Sequence, residues 1–130
     1  MNNSRIIVLG SPQGARGGAV AEGKFVHLRW RGADQLLFAP FERHRFHNQL
    51  VAEFAAEQGI AHHWSGAEQL AVNDTGLQLR GGGLYRVYPQ EQLLELWGRS
   101  LVYGRFQPGE VRALLAAAEH PWAAYDLSMD

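Results

Sequence analysis

Between Phe46 and Gln58, the apolar residues Phe46, Leu50, Val51, Phe54 and Ala55 fall at helical spacing, and Gly59 follows as a natural stop. A second window, residues 108–119, has the same period: Pro108 opens the first turn, Val111, Leu114, Leu115 and Ala118 share a face, and Pro121 ends it. The other patterned segments read as short strands: residues 5–9, 24–30, 35–39, 60–64, 69–72, 77–80, 84–88, 93–97 and 122–127. Two separated helices among so many strands predict an α+β fold, a mixed and mostly antiparallel β-sheet with two main helices packed on it. Pro40 offers an alternative, earlier helix start, which would leave His47 in mid-helix.

The turns follow from glycine and the short polar residues. Gly32 to Asp34 turns one strand back on the next as a hairpin, with Lys24, Val26, Leu28 and Trp30 on one face of the first. Asn73-Asp-Thr-Gly76 reads as a hairpin turn, and Gly81-Gly-Gly83 as a flexible turn or bulge between two strands. Residues 11–23 form a Gly/Ala-rich loop without either periodicity, and residues 60–80 leave room for an extra hairpin. With 130 residues, 46% of them hydrophobic, and no repeat or interdomain linker, residues 1–130 are expected to form a single domain.

Charge and composition exclude several roles. Twelve Lys and Arg against thirteen Asp and Glu give a formal charge of -1, too little positive field for nonspecific nucleic-acid binding. The only early apolar run, Ile6 to Leu9, is too short for a signal-peptide core or a membrane span, so a soluble, cytoplasmic protein with no membrane partner is expected. Cysteine is absent, which leaves any chemistry to His, Ser, Lys, Arg and carboxylates.

The amides at a helix start and the aligned peptide dipoles favour an anion, and His47 stands beside such a start. A neutral imidazole there can accept a proton from water or attack phosphorus itself. By position alone, His47 better suits a polar residue at a helix edge. Gly98-Arg-Ser-Leu-Val-Tyr-Gly104 brackets Ser100 with glycines, which fits a hydroxyl and backbone amides closing on a ligand, or simply a strand end and turn. Gly81 to Gly83 lacks the following Lys-Ser/Thr pair of a phosphate loop and receives no chemistry. Arg16 among Gly14, Gly17 and Gly18 reads as part of a solvated loop. His44 and His47 are three apart and His62 and His63 adjacent, but without a His-Glu-x-x-His pattern these pairs do not make a metal centre. The four tryptophans are assigned to packing.

Taken together, these segments resemble the Janus/Ocnus family of protein histidine phosphatases. Lys24-Phe-Val-His-Leu-Arg29 is similar to the family's Lys-aromatic-Val strand, and Phe46-His47 to its aromatic-His helix start. Gly81-Gly-Gly83 precedes Gly98-Arg-Ser-Leu-Val-Tyr-Gly104 in the family's order, and a helix and an aromatic C-terminal strand follow, over roughly residues 24–127. The resemblance implies helices on both faces of a mixed sheet and metal-independent, cofactor-free hydrolysis of a P–N bond. The partner it implies is a phosphohistidine-containing protein or a small phosphoramidate. On this resemblance, His47 is the catalytic histidine, acting as base or nucleophile. Lys24, Ser100, Arg99 and the backbone amides of Asn48 and Leu101 then hold the phosphate. Four departures stand out: Arg99 replaces a Tyr, Leu84 an Arg, and Asn48-Gln49 a small and acidic pair, and the segment between Gly59 and Gly81 is longer. The alternative they leave open is a noncatalytic protein-interaction or anion-binding domain on the same fold.

Overall fold

Arg31 and Gly32 reverse the chain in two residues, both at positive φ (53° and 78°), the left-handed pair that the tightest hairpin turn requires. Strand β2 (Ala21–Trp30) therefore folds straight back on β3 (Ala33–Pro40), with Trp30 opposite Ala33. The turn lies one residue earlier than Gly32 to Asp34. Strand β2 also starts three residues before Lys24, where Ala21 to Gly23 pair with Val87 to Tyr85. These coordinates come from a computed structural model that describes residues 4–9, 20–41, 44, 46–64, 70–72 and 76–130. The expected Gly/Ala-rich loop lies largely outside the described residues.

The remaining elements are β1 (Arg5–Val8), α1 (His47–Gln58), β4 (His62–Trp64), β5 (Leu70–Val72), β6 (Leu77–Tyr88), β7 (Leu93–Trp97), α2 (Pro108–Ala117) and β8 (Asp126–Met129). Six strands form one sheet in the order β1-β3-β2-β6-β7-β8, antiparallel in its centre and parallel at both edges. The fold is thus α+β, with two helices on a mostly antiparallel mixed sheet among the described residues. Helix α1 starts at His47 and not at Pro40, and Gly59 ends it in the left-handed region at φ 71°.

Three expectations are corrected. Gly81 to Gly83 does not separate two strands, because β6 runs unbroken through it; the irregularity is a bulge at Arg80, where His27 pairs with Gly81 and Leu28 with Leu79. Strand β5 pairs with β4 in a separate two-stranded sheet and not with β6, so the expected hairpin between them is not formed; its turn residues Asn73 to Thr75 lie outside the described residues. The last strand begins at Asp126, not at Trp122, whose indole is drawn into the core against Phe38 and Tyr85 (ring centroids 5.1 and 5.8 Å away). Burial of that large ring outweighs the strand propensity of its neighbours.

Alternation along β2 sorts the core into two layers. Val26 and Leu28 point with Leu37 and Ala39 toward Leu50, Val51, Phe54 and Ala55 of α1. Phe25 points the other way, with Leu36, Phe38, Tyr85, Leu94 and Leu96, toward Val111, Leu114 and Leu115 of α2. The helices therefore cover opposite faces of the sheet. By the same alternation Lys24 lies on the α1 face, as do its cross-strand partner Leu84 and the partner of Leu84 on the next strand, Trp97. Among the described residues no helix is long and apolar enough to cross a membrane.

Candidate functional site

His47 is the first residue of α1, and its ring is driven down onto the sheet rather than out into solvent, with only 4% of the residue exposed. The preceding Phe46 takes the N-cap position in an extended conformation. Gln49 closes the turn by accepting the Phe46 amide at Oε1, 3.1 Å away. Lacking a side-chain acceptor, Phe46 cannot cap the helix start in the usual way, and α1 carries no acidic residue in its first turn. The positive end of its dipole is uncompensated by side-chain charge there.

The imidazole crosses β6 at the triple glycine. Its Nε2 lies 2.9 Å from the Gly83 carbonyl oxygen. A carbonyl only accepts, so Nε2 holds the proton and donates it, and Nδ1 carries the lone pair. Being bonded to Cγ, Nδ1 lies on the side of the ring nearer its own backbone, at the helix start. Gly82 makes this approach possible: a Cβ there would stand 2.9 Å from the His47 Cδ2 and 3.3 Å from Nε2. Sequence reading gave Gly81 to Gly83 no chemistry, whereas the structure makes Gly82 and Gly83 the floor on which the imidazole is fixed. The signal was a glycine run inside a strand, which marks a close approach.

Burial pushes the His47 pKa down to about 4, the Gly83 hydrogen bond opposes the shift, and the nearby Lys24 charge adds to it. The ring is neutral throughout the ordinary pH range. Since its folded pKa lies below the unfolded value near 6.5, the unfolded chain binds the extra proton between those limits. The resulting contribution of about 3 kcal/mol is complete above about pH 6.5 and is lost as pH falls toward 4. Urea denaturation at pH 7 and pH 4.5 is expected to show a steeper loss of stability for the wild type than for His47→Gln; equal slopes would contradict the assignment.

Lys24 is half-buried on the same face, its Nζ 5.9 Å from the centroid of the Phe46 ring. The Ser100 segment arrives from the other side of β6. Where β7 stops at Trp97, Ser100 and Gly104 pair with each other, N to O, at 3.0 and 2.9 Å. Gly104 then accepts the Gly82 amide at 3.0 Å, and Gly82 in turn accepts the Phe106 amide at 3.2 Å. One residue, Gly82, thereby receives the imidazole on its face and the Ser100–Gly104 turn on its edge. Tyr103 carries the turn against the α1-side core, where burial pushes its phenol up to about 12.

The remaining predicted site residues divide. Ser100 is buried, and its Oγ accepts the amides of Val102 and Tyr103 at 3.3 and 3.1 Å, so it shapes the turn in which it sits. Asn48 is buried in the first turn of α1 beside His47. Leu101 projects its side chain outward, 91% exposed. Arg99 is exposed, and no contact among the described residues brings it to His47 or Lys24. Arg105, which sequence reading passed over, ties the segment down instead, donating to the Gly98 carbonyl at 3.0 Å and the Asp130 carbonyl at 2.8 Å.

Other imidazoles have different surroundings. His44 meets Glu53 at 2.9 Å, on α1 and away from a pairing with His47. His27 is fully buried on the opposite face of the sheet, with Nε2 2.9 Å from Asp34. No family model and no curated protein matches this chain.

Proposed function

We propose that this protein is a metal-independent phosphatase that hydrolyses a P–N bond, in phosphohistidine or a related phosphoramidate. One observation carries the reading: a buried, neutral imidazole with Nε2 pinned to the Gly83 carbonyl, its Nδ1 lone pair at a helix start and a lysine on the same face. The resemblance of these segments to the Janus/Ocnus pattern supports the same reaction.

In this reading the phosphoryl group lies between the α1 start and Lys24. The ammonium and the first-turn amides near His47 and Asn48 offset its negative charge, and Ser100 and Leu101 present the turn that closes the other side. The Nδ1 lone pair then serves in one of two ways. It attacks phosphorus, the P–N bond to the leaving nitrogen breaks with protonation of that nitrogen, and water releases orthophosphate from His47 in a second step. Otherwise it takes the proton of a water whose oxygen attacks phosphorus as the P–N bond breaks, and passes that proton to the leaving nitrogen. Either route needs a deprotonated ring, and the depressed pKa supplies it at neutral pH. Arg99, exposed on the rim, meets the substrate only as it arrives.

Incubating the purified protein with a phosphohistidine peptide and following phosphorus NMR tests the reading. The P–N resonance is expected to give way to orthophosphate. Saturable binding without any turnover would instead favour the noncatalytic anion-binding alternative, and absence of both would remove the phosphate site altogether.

A further inference from the structure

Helix α2 packs against β1 and β3, at one side of the sheet, and leaves the β7–β8 end of the same face to the chain that returns from α2 to β8. Between helix, returning chain and sheet lies a cavity of about 230 Å³. Its floor is Leu94 on β7 and the residue paired with it on β8, Leu127. Arg112 and Leu115, three residues apart on α2, form one wall, and Trp122 and Tyr125 the other.

The lining carries a single formal charge, that of Arg112, and no carboxylate. Arg112 is exposed at the rim and makes no hydrogen bond or ion pair among the described residues. One turn away along its own helix stand Pro108, Gly109, Leu115 and Ala116, none of which can neutralise it. Alternation along β8 turns Leu127 toward the cavity and the flanking Asp126 and Ser128 to the opposite face of the sheet, and Glu119 is exposed outside the lining. The Tyr125 hydroxyl likewise has no partner among the described residues. His120, by contrast, uses both ring nitrogens: Nε2 donates to the Leu115 carbonyl at 2.9 Å, and Nδ1 accepts the Trp122 amide at 3.2 Å. The cavity thus offers a ligand an apolar interior, one guanidinium and one phenol hydroxyl.

We propose that this cavity binds a small monocarboxylate with a compact apolar body. The carboxylate lies against Arg112 and the Tyr125 hydroxyl, and the hydrocarbon part lies over Leu94, Leu115 and Leu127. A guanidinium matches a carboxylate with two parallel N–H donors, whereas a cationic ligand would meet Arg112 with no acidic group in the lining to hold it. The volume falls below the range of drug-sized sites, about 300–1,000 Å³, which limits the apolar part to one ring or a short chain. The site is on the α2 face of the sheet, opposite His47, and does not depend on the phosphoryl site.

Phenylacetate is the probe, with phenylacetamide as its uncharged match, each titrated into the full chain while the Trp122 indole N–H is followed by NMR. Phenylacetate is expected to give a saturable shift with a Kd of about 1 mM, and phenylacetamide to bind about fivefold more weakly, the scale of a solvent-screened ion pair. Arg112→Gln is expected to weaken phenylacetate by the same factor and leave phenylacetamide unchanged, a selective loss that misfolding cannot produce. Ala116→Phe, which fills the cavity from the exposed side of α2, is expected to abolish binding of both. Equal wild-type affinities for the two probes, undiminished phenylacetate binding in either variant, or a Trp122 resonance that neither probe moves would overturn the proposal.

Discussion

His47→Gln is expected to hydrolyse a phosphohistidine peptide about 1,000-fold more slowly than the wild type, the scale on which a positioned base or nucleophile acts. The variant isolates the reacting atom. Glutamine extends far enough to keep an N–H donor near the Gly83 carbonyl, now held at 2.9 Å by Nε2, while it removes the lone pair at the Nδ1 position. Circular dichroism and urea midpoints at pH 4.5, where His47 no longer stabilises the fold fully, check that the loss is chemical and not structural. A variant rate above one-tenth of the wild-type rate, with phosphorus NMR as the assay, would remove His47 from the reaction under either route.

Gly82→Ala is expected to do comparable damage by a different physical path. The added Cβ would stand 2.6 Å from the Phe25 carbonyl oxygen as well as 2.9 Å from His47 Cδ2. The first contact is with backbone in the middle of the sheet, so the strand must give there, and the second displaces the imidazole. Overpacking of this kind costs about 1–3 kcal/mol. Displacement of the ring also breaks the bond to Gly83 and returns the imidazole toward solvent. The His47 pKa, held near 4 in the wild type, is then expected to rise toward its ordinary value, visible in a proton NMR titration. Retained activity with an unmoved titration would show that the ring does not depend on the glycine floor.

The sequence patterns that survive in the structure are those governed by local periodicity. Helix α1 and its Gly59 stop were legible because Leu50, Val51, Phe54 and Ala55 all face one buried layer. Helix α2 was legible on the same ground. Sheet pairing was less so, because nothing local tells β5 to join β4 instead of β6, and nothing local tells Gly81 to Gly83 to continue a strand. Glycine ordinarily weakens strands, and here crowding from both sides overrides that tendency: a Cβ on Gly83 would sit 2.6 Å from the Trp97 carbonyl and 2.9 Å from the Phe25 and Phe106 rings.

The candidate site was half legible for a related reason. His47, Lys24 and Ser100 were identifiable as chemical groups near a helix start, on a strand and in a glycine-bracketed turn. What joins His47 to the Ser100 turn is backbone: the Gly83 carbonyl, the Gly82 surface and the Gly104 carbonyl, none of which has a side chain to announce it. Ser100 illustrates the gap, since its residue type suggested a ligand contact while its Oγ is bonded to the amides of Val102 and Tyr103.

Everything functional turns on the state of one ring: protonated at Nε2, bare at Nδ1, and facing an anion. Nitrogen-15 imidazole spectra of His47 at pH 6, recorded while orthophosphate is added, read that state directly. The neutral Nε2–H tautomer before addition, followed by a saturable shift of the Nδ1 resonance, is the predicted result. A ring already doubly protonated at pH 6, or an Nδ1 signal indifferent to phosphate, would contradict it.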